Sequence, residues 1–175
     1  MRRFFVILVC ALAVVPTAFA AARATGDGVL ELRAVNGSVA IGKEGQPARG
    51  LAWGQMDKGK LVVVDPTPTD GQIFVSGFEH KSVTTVADTG ATVTTYSGTN
   101  IHFRVTGGKY RLAFIGSGID LTAVGVGVAY LAGDILAADS GDYSVDSGKW
   151  IPVPVYVLSP RTLAVPFGTQ PTPVP

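Results

Sequence analysis

Ile101-His102-Phe103-Arg104-Val105-Thr106-Gly107-Gly108-Lys109-Tyr110-Arg111-Leu112 decides the fold class. Ile101, Phe103 and Val105 alternate with His102 and Arg104, the period of two that puts apolar side chains on one face of a strand. Thr106-Gly107-Gly108 then turns the chain back into a second strand, Lys109 to Ile115. A polar face, an apolar face and a glycine turn describe a half-buried antiparallel hairpin.

The same grammar extends in both directions. Upstream, Leu30, Leu32 and Ala34 alternate with Glu31 and Arg33, and Asn36-Gly37 follows. That dipeptide suits a two-residue hairpin because both positions accept positive φ, so Ser38 to Ile41 is expected to return as the next strand. Asn36-Gly37-Ser38 also fits a glycosylation sequon, but the hairpin accounts for it fully. Gly50 to Met56 reads as a strand with Leu51 and Trp53 inward, and Lys60 to Asp65 as a Val-rich one. Pro66-Thr67-Pro68-Thr69-Asp70-Gly71 closes it with strong turn chemistry. Gln72 to Phe78 is a further strand, and the Thr-rich stretch 79–99 one or two exposed ones. Downstream, Gly116-Ser117-Gly118 reads as a tight turn before Ile119 to Leu131, where Tyr130 is expected inward. Tyr143 to Val145 forms a short strand. Pro152 and Pro154 confine any strand at Ile151 to Leu158 to a sheet edge, because proline cannot donate to a ladder. No segment holds an apolar period of 3.6 with caps.

The whole chain agrees with this. Its 175 residues carry 22 Gly and 11 Pro, and only 15% are charged, against about 25% in an average soluble domain. The expected fold is all-β: an antiparallel sandwich or partly closed barrel of about eight to ten strands. A weak internal repeat fits either a duplicated β unit or the generic grammar of β-hairpins in a chain rich in Gly and Val. Leu30-Glu31-Leu32-Arg33 overlays Ile101-His102-Phe103-Arg104, Gly37 overlays Gly108, and Gly50-x-Ala52-x-Gly54 overlays Gly125-x-Gly127-x-Ala129.

The first twenty residues give an address. Arg2 and Arg3 precede an apolar run from Phe4 to Val15, followed by Ala18-Phe19-Ala20. A basic start, a dozen apolar residues and an Ala-x-Ala exit describe a secretory signal peptide cleaved after Ala20. The run is shorter than the roughly 20 residues a spanning helix needs. Cys10 lies mid-run, which argues against a lipid anchor. The domains read as signal peptide 1–20, flexible leader 21–27, one β domain 28–158 and a loose Pro-rich tail 159–175. Cleavage leaves 12 Lys+Arg against 13 Asp+Glu and no cysteine. That excludes a strongly basic nucleic-acid binder, a disulfide framework and a thiolate nucleophile. Localisation is therefore expected to be secreted or extracytoplasmic, with no transmembrane segment after cleavage.

Phe103-Arg104-Val105-x-Gly107-Gly108-x-Tyr110-Arg111, Gly116-Ser117-Gly118-Ile119-Asp120-Leu121 and Gly141-x-Tyr143-Ser144, behind a basic signal peptide, resemble small secreted all-β bacterial proteins of unassigned function. The resemblance spans residues 28–148. It implies an exported β domain and brings no active site with it.

Site chemistry is sparse. Gly116-Ser117-Gly118 lacks the spacing of a nucleophile elbow. His80 and His102 are the only histidines and read as solvated polar residues. Glu31, Glu44 and Glu79 form no evident acid pair. Calcium is the one metal worth naming, with Asp134, Asp139, Asp142 and Asp146 as its candidate ligands, although Asp beside Gly also builds ordinary turns. Trp53 and Trp150, with Tyr96, Tyr130 and Tyr156, are candidates for stacking on a glycan. Gly125, Gly127 and Ala129 form a small-residue face, read either as tight internal packing or as an interface for an unknown protein or envelope partner. The expected function is a secreted or envelope-associated, non-catalytic β module, structural or partner-binding, with no cofactor. The alternative is a cell-surface carbohydrate-binding or hydrolytic protein.

Overall fold

In a computed structural model, residues 24–134, 136–137, 139–155 and 162–169 are described. The signal peptide, Cys10, Ala20, Ala21, Tyr156 and the last prolines lie outside them. The strands are β1 (Gly28–Ile41), β2 (Ala48–Asp65), β3 (Ile73–Ser76), β4 (His80–Thr85), β5 (Thr92–Val105), β6 (Lys109–Gly133), β7 (Asp142–Val145), β8 (Ile151–Pro152) and β9 (Leu163–Phe167). They form one sheet in the order β3-β5-β2-β6-β1-β7-β8, with β4 also on β5 and β9 on β6. Partner numbers fall along β6 as they rise along β1, from Gly28 opposite Gly125 to Ile41 opposite Leu112, so the pair is antiparallel. β2 meets β6 in the same sense, Gly50 opposite Gly125 and Val64 opposite Arg111. The all-β antiparallel expectation holds, and the sheet is not closed into a barrel.

The strands are longer than the sequence suggests. Asn36-Gly37 is no hairpin turn, because β1 runs through it, and Gly116-Ser117-Gly118 lies inside the 25 residues of β6. Gly50 to Met56 and Lys60 to Asp65 are likewise one strand, β2. The physical reason lies in the register. Gly98 on β5 faces Gly59 on β2, Gly59 faces Gly116 on β6, and Gly116 faces Gly37 on β1. Four neighbouring strands thus carry glycine in one transverse row.

At that row the buried side chains change parity. On β1 they are Leu30, Leu32 and Ala34, then Val39 and Ile41; on β2 Ala48, Ala52 and Met56, then Leu61 and Val63. On β6 Tyr110, Leu112 and Phe114 give way to Ile119, Leu121 and Ala123, and on β5 Thr94 and Tyr96 to Ile101, Phe103 and Val105. The glycines absorb one irregular step per strand, which creases the sheet and keeps both halves on a single core. Gly37 and Gly108 are therefore not equivalent positions, since Gly108 sits in the hairpin turn between β5 and β6.

The crease also explains how β6 meets β1 twice. Val39 pairs with Phe114 on one side and Leu131 on the other. Leu163 to Phe167, in the segment expected to be a loose tail, instead pairs with Leu131 to Gly127 as β9, and buried Phe167 anchors it. Pro152 lies in β8, at the end of the sheet, as its missing donor requires.

Candidate functional site

Direct partners in an antiparallel sheet point to the same face, so the register fixes what shares the outer surface. One outer row runs Phe74 on β3, Arg104 on β5, Trp53 on β2, Thr122 on β6 and Glu31 on β1. The next runs Ser76, His102, Gln55, Asp120, Arg33 and Asp142, from β3 through to β7. Over β5, β2 and β6 these rows line a cleft of about 750 Å³ with Trp53, Gln55, His102, Arg104, Asp120 and Thr122 on its walls.

Trp53 does not pack inside. It is 41% exposed, because the buried parity of β2 belongs to Ala52 and Met56. Phe74, on the far side of Arg104, is 54% exposed. One exposed ring is ordinary on a protein surface, but two of them flanking one guanidinium make a contiguous patch that marks the surface. His102 and Arg104 point outward as the alternation required, and His102 Nε2 lies 3.1 Å from Asn100 Oδ1. The cleft's carriers are paired strands, which hold the side chains without loop freedom. A mixture of a ring, a guanidinium, an imidazole, an amide and a carboxylate can stack on a flat ligand while donating and accepting hydrogen bonds around its rim.

The other candidate residues fall elsewhere. Trp150, exposed at the edge of the sheet, lies under the Arg33 guanidinium, whose carbon is 4.7 Å from the ring centroid. Tyr130 is half-buried with Lys43 Nζ above it at 5.8 Å, not inward as expected. The face of Gly125, Gly127 and Ala129 is buried. A Cβ added at Gly127 would meet the Phe167 ring at 2.7 Å and Ala48 Cβ at 2.8 Å, so β9 and β2 occupy the space. A depression of about 540 Å³ over the glycine row is lined by Lys58, Ile115 and Ser117.

The four aspartates do not converge. Asp134 Oδ1 accepts from the Leu136 N–H, Asp139 Oδ1 from the Gly141 N–H and Asp146 Oδ1 from the Val29 N–H, at 2.9, 2.8 and 3.0 Å. Asp142 is an exposed strand residue. Among the described residues no three His, Cys, Asp or Glu side chains gather as a metal site.

Sequence reasoning missed Phe74, Gln55, Asp120 and Thr122, which become neighbours only through strand order. One local signal was present: Trp53 shares its parity with polar Gln55, not with Ala52 and Met56. Comparison of the chain with protein-family profiles, with curated proteins and with solved structures found no match.

Proposed function

We propose that this chain is an exported, non-catalytic binding module that takes a carbohydrate ligand in the cleft over β5, β2 and β6. The observation that carries the reading is the exposed indole of Trp53 in a cleft of about 750 Å³, beside Arg104, Gln55, His102 and Asp120. A pyranose offers an apolar C–H face and a rim of hydroxyls. The indole fits the face, and the surrounding heads supply donors and acceptors for the rim. The basic start, apolar run and Ala18-Phe19-Ala20 exit support export, with a mature N-terminus at Ala21.

The test is a glycan-array screen of the secreted protein, followed by titration of the best ligand on native protein and Trp53→Ala. Because the ring is substantially exposed, the substitution should leave the melting temperature within a degree or two. Affinity should fall at least about tenfold, a change of roughly 1.4 kcal/mol. Full affinity in the folded variant, or no binding anywhere on the array, overturns the reading. The mass of the exported chain checks the processing step, and material retaining Met1 would contradict it.

A further inference from the structure

The cleft is one end of a longer surface. From it the outer row His102-Gln55-Asp120-Arg33-Asp142 continues across β6 and β1 to β7 without leaving the face. Arg33 stands on β1, two strands from Trp53 on β2, a separation of about 10 Å across the sheet. There the guanidinium covers Trp150, a residue that stays 36% exposed. Two tryptophans therefore flank a polar strip, and all the strip's residues sit on hydrogen-bonded strands except Trp150, which Arg33 holds in place.

We infer that this surface is an extended, multi-subsite platform for an uncharged glycan chain lying across the strands, with Trp53 as one stacking subsite and the Arg33–Trp150 pair as another. The inference rests on the cleft reading and adds the ligand's length and charge. Length follows from the spacing, since a single sugar ring spans only one of the two aromatic positions. Charge follows from the order of groups along the strip. An amide, a carboxylate, a guanidinium and a second carboxylate alternate, so no stretch presents the like-signed field that a polyanion or polycation would select. Such a strip instead offers alternating donors and acceptors to neutral hydroxyls.

The experiment uses the mature protein with cellohexaose, laminarihexaose and chitohexaose, their disaccharides, and a hexamer of polygalacturonate. Binding is measured by calorimetry, and tryptophan accessibility by iodide quenching with each sugar bound. At least one neutral hexamer should bind tenfold or more tighter than its disaccharide and shield two tryptophans where the disaccharide shields one. Trp150→Ala should bring the hexamer down to the affinity of the disaccharide and leave the disaccharide unchanged. Trp53→Ala should weaken both. Equal affinity for disaccharide and hexamer, with loss in Trp53→Ala, overturns the extended platform and leaves the cleft reading standing. No neutral probe binding, with quenching unchanged, overturns the platform, while the glycan array decides the cleft reading separately. Preference for the acidic hexamer overturns the assignment of charge. The quenching arm needs no variant, so a misfolded Trp150→Ala does not spoil the test.

Discussion

Gly59 on β2 and Gly116 on β6 face each other so closely that a methyl on either would reach the other's Cα at 2.8–2.9 Å. Gly59 also holds a φ of +147°, which side-chain-bearing residues rarely adopt. The crease of the sheet passes through this contact. Gly59→Ala should therefore cost on the order of 1–3 kcal/mol, by overpacking and backbone strain together. Urea denaturation measures it. A variant as stable as the native chain would show that the crease tolerates a side chain, and that the glycine row is incidental.

How much of this was legible in sequence turns on the same glycines. The alternation at Leu30, Leu32 and Ala34 and at Ile101, Phe103 and Val105 gave the right inward faces, because each run lies wholly on one side of the crease. Asn36-Gly37 and Gly116-Ser117-Gly118 carry the residues of a turn, yet here they bend a continuous strand. Local chemistry cannot separate the two, since both need backbone freedom at glycine. Only cross-strand pairing shows that Gly98, Gly59, Gly116 and Gly37 align. The cleft was hidden for the same reason: Arg104, Trp53 and Thr122 come from three strands far apart in the chain.

Burial holds the Tyr110 phenol well above its usual range, with the hydroxyl donating to the Leu51 carbonyl at 3.3 Å. The neutral phenol is thus favoured by the fold. Its contribution is complete below the unfolded pKa of about 10 and is lost as pH rises toward the folded value. Native protein should lose stability between pH 9 and 11 more steeply than Tyr110→Phe, which itself gives up about 0.5–1.5 kcal/mol at pH 7 with the hydrogen bond. Denaturation midpoints across this range decide it, and parallel slopes would contradict it.

Asp65 is held above the ordinary carboxylate range, first by burial and also by the charge of Asp70, against the Thr67 N–H that lowers it. A raised acid is best tolerated by the fold when protonated. Its stabilising contribution is full below the unfolded pKa and disappears as pH climbs through the folded one. Asp65→Asn keeps an acceptor for the Thr67 N–H, 3.0 Å from Asp65 Oδ1, and carries no charge. It should melt higher than native protein at pH 7, with the gap closing near pH 3. A gap that persists at pH 3 would place the effect elsewhere than in ionisation.

Asp146 sits at φ +53° and ties its turn to the start of β1 through the Val29 N–H. A structural carboxylate should be needed whether or not calcium is present. Asp146→Ala should cost about 1–3 kcal/mol equally in calcium and in chelator, and the native melting temperature should not respond to either. A calcium-dependent rise, absent in the variant, would make this turn an ion site and revive the aspartate reading.

Gly127 and Phe167 are coupled, because one residue's absent side chain is the other's space. The ring fills the position a Cβ would take, and Ala48 closes the remaining side. Gly127→Ala alone should cost about 1–3 kcal/mol by overpacking. Phe167→Leu alone should cost about as much, by leaving a cavity beneath β9. In the double variant the new methyl enters the room the ring gave up, so the sum should overestimate the loss by at least about 0.5 kcal/mol. Chemical denaturation of the four proteins gives the coupling, and sedimentation across a concentration series checks assembly. Additive losses would mean that Phe167 is not what excludes a side chain at Gly127. Unchanged stability with loss of an oligomer would instead make the Gly125, Gly127 and Ala129 face a contact between copies.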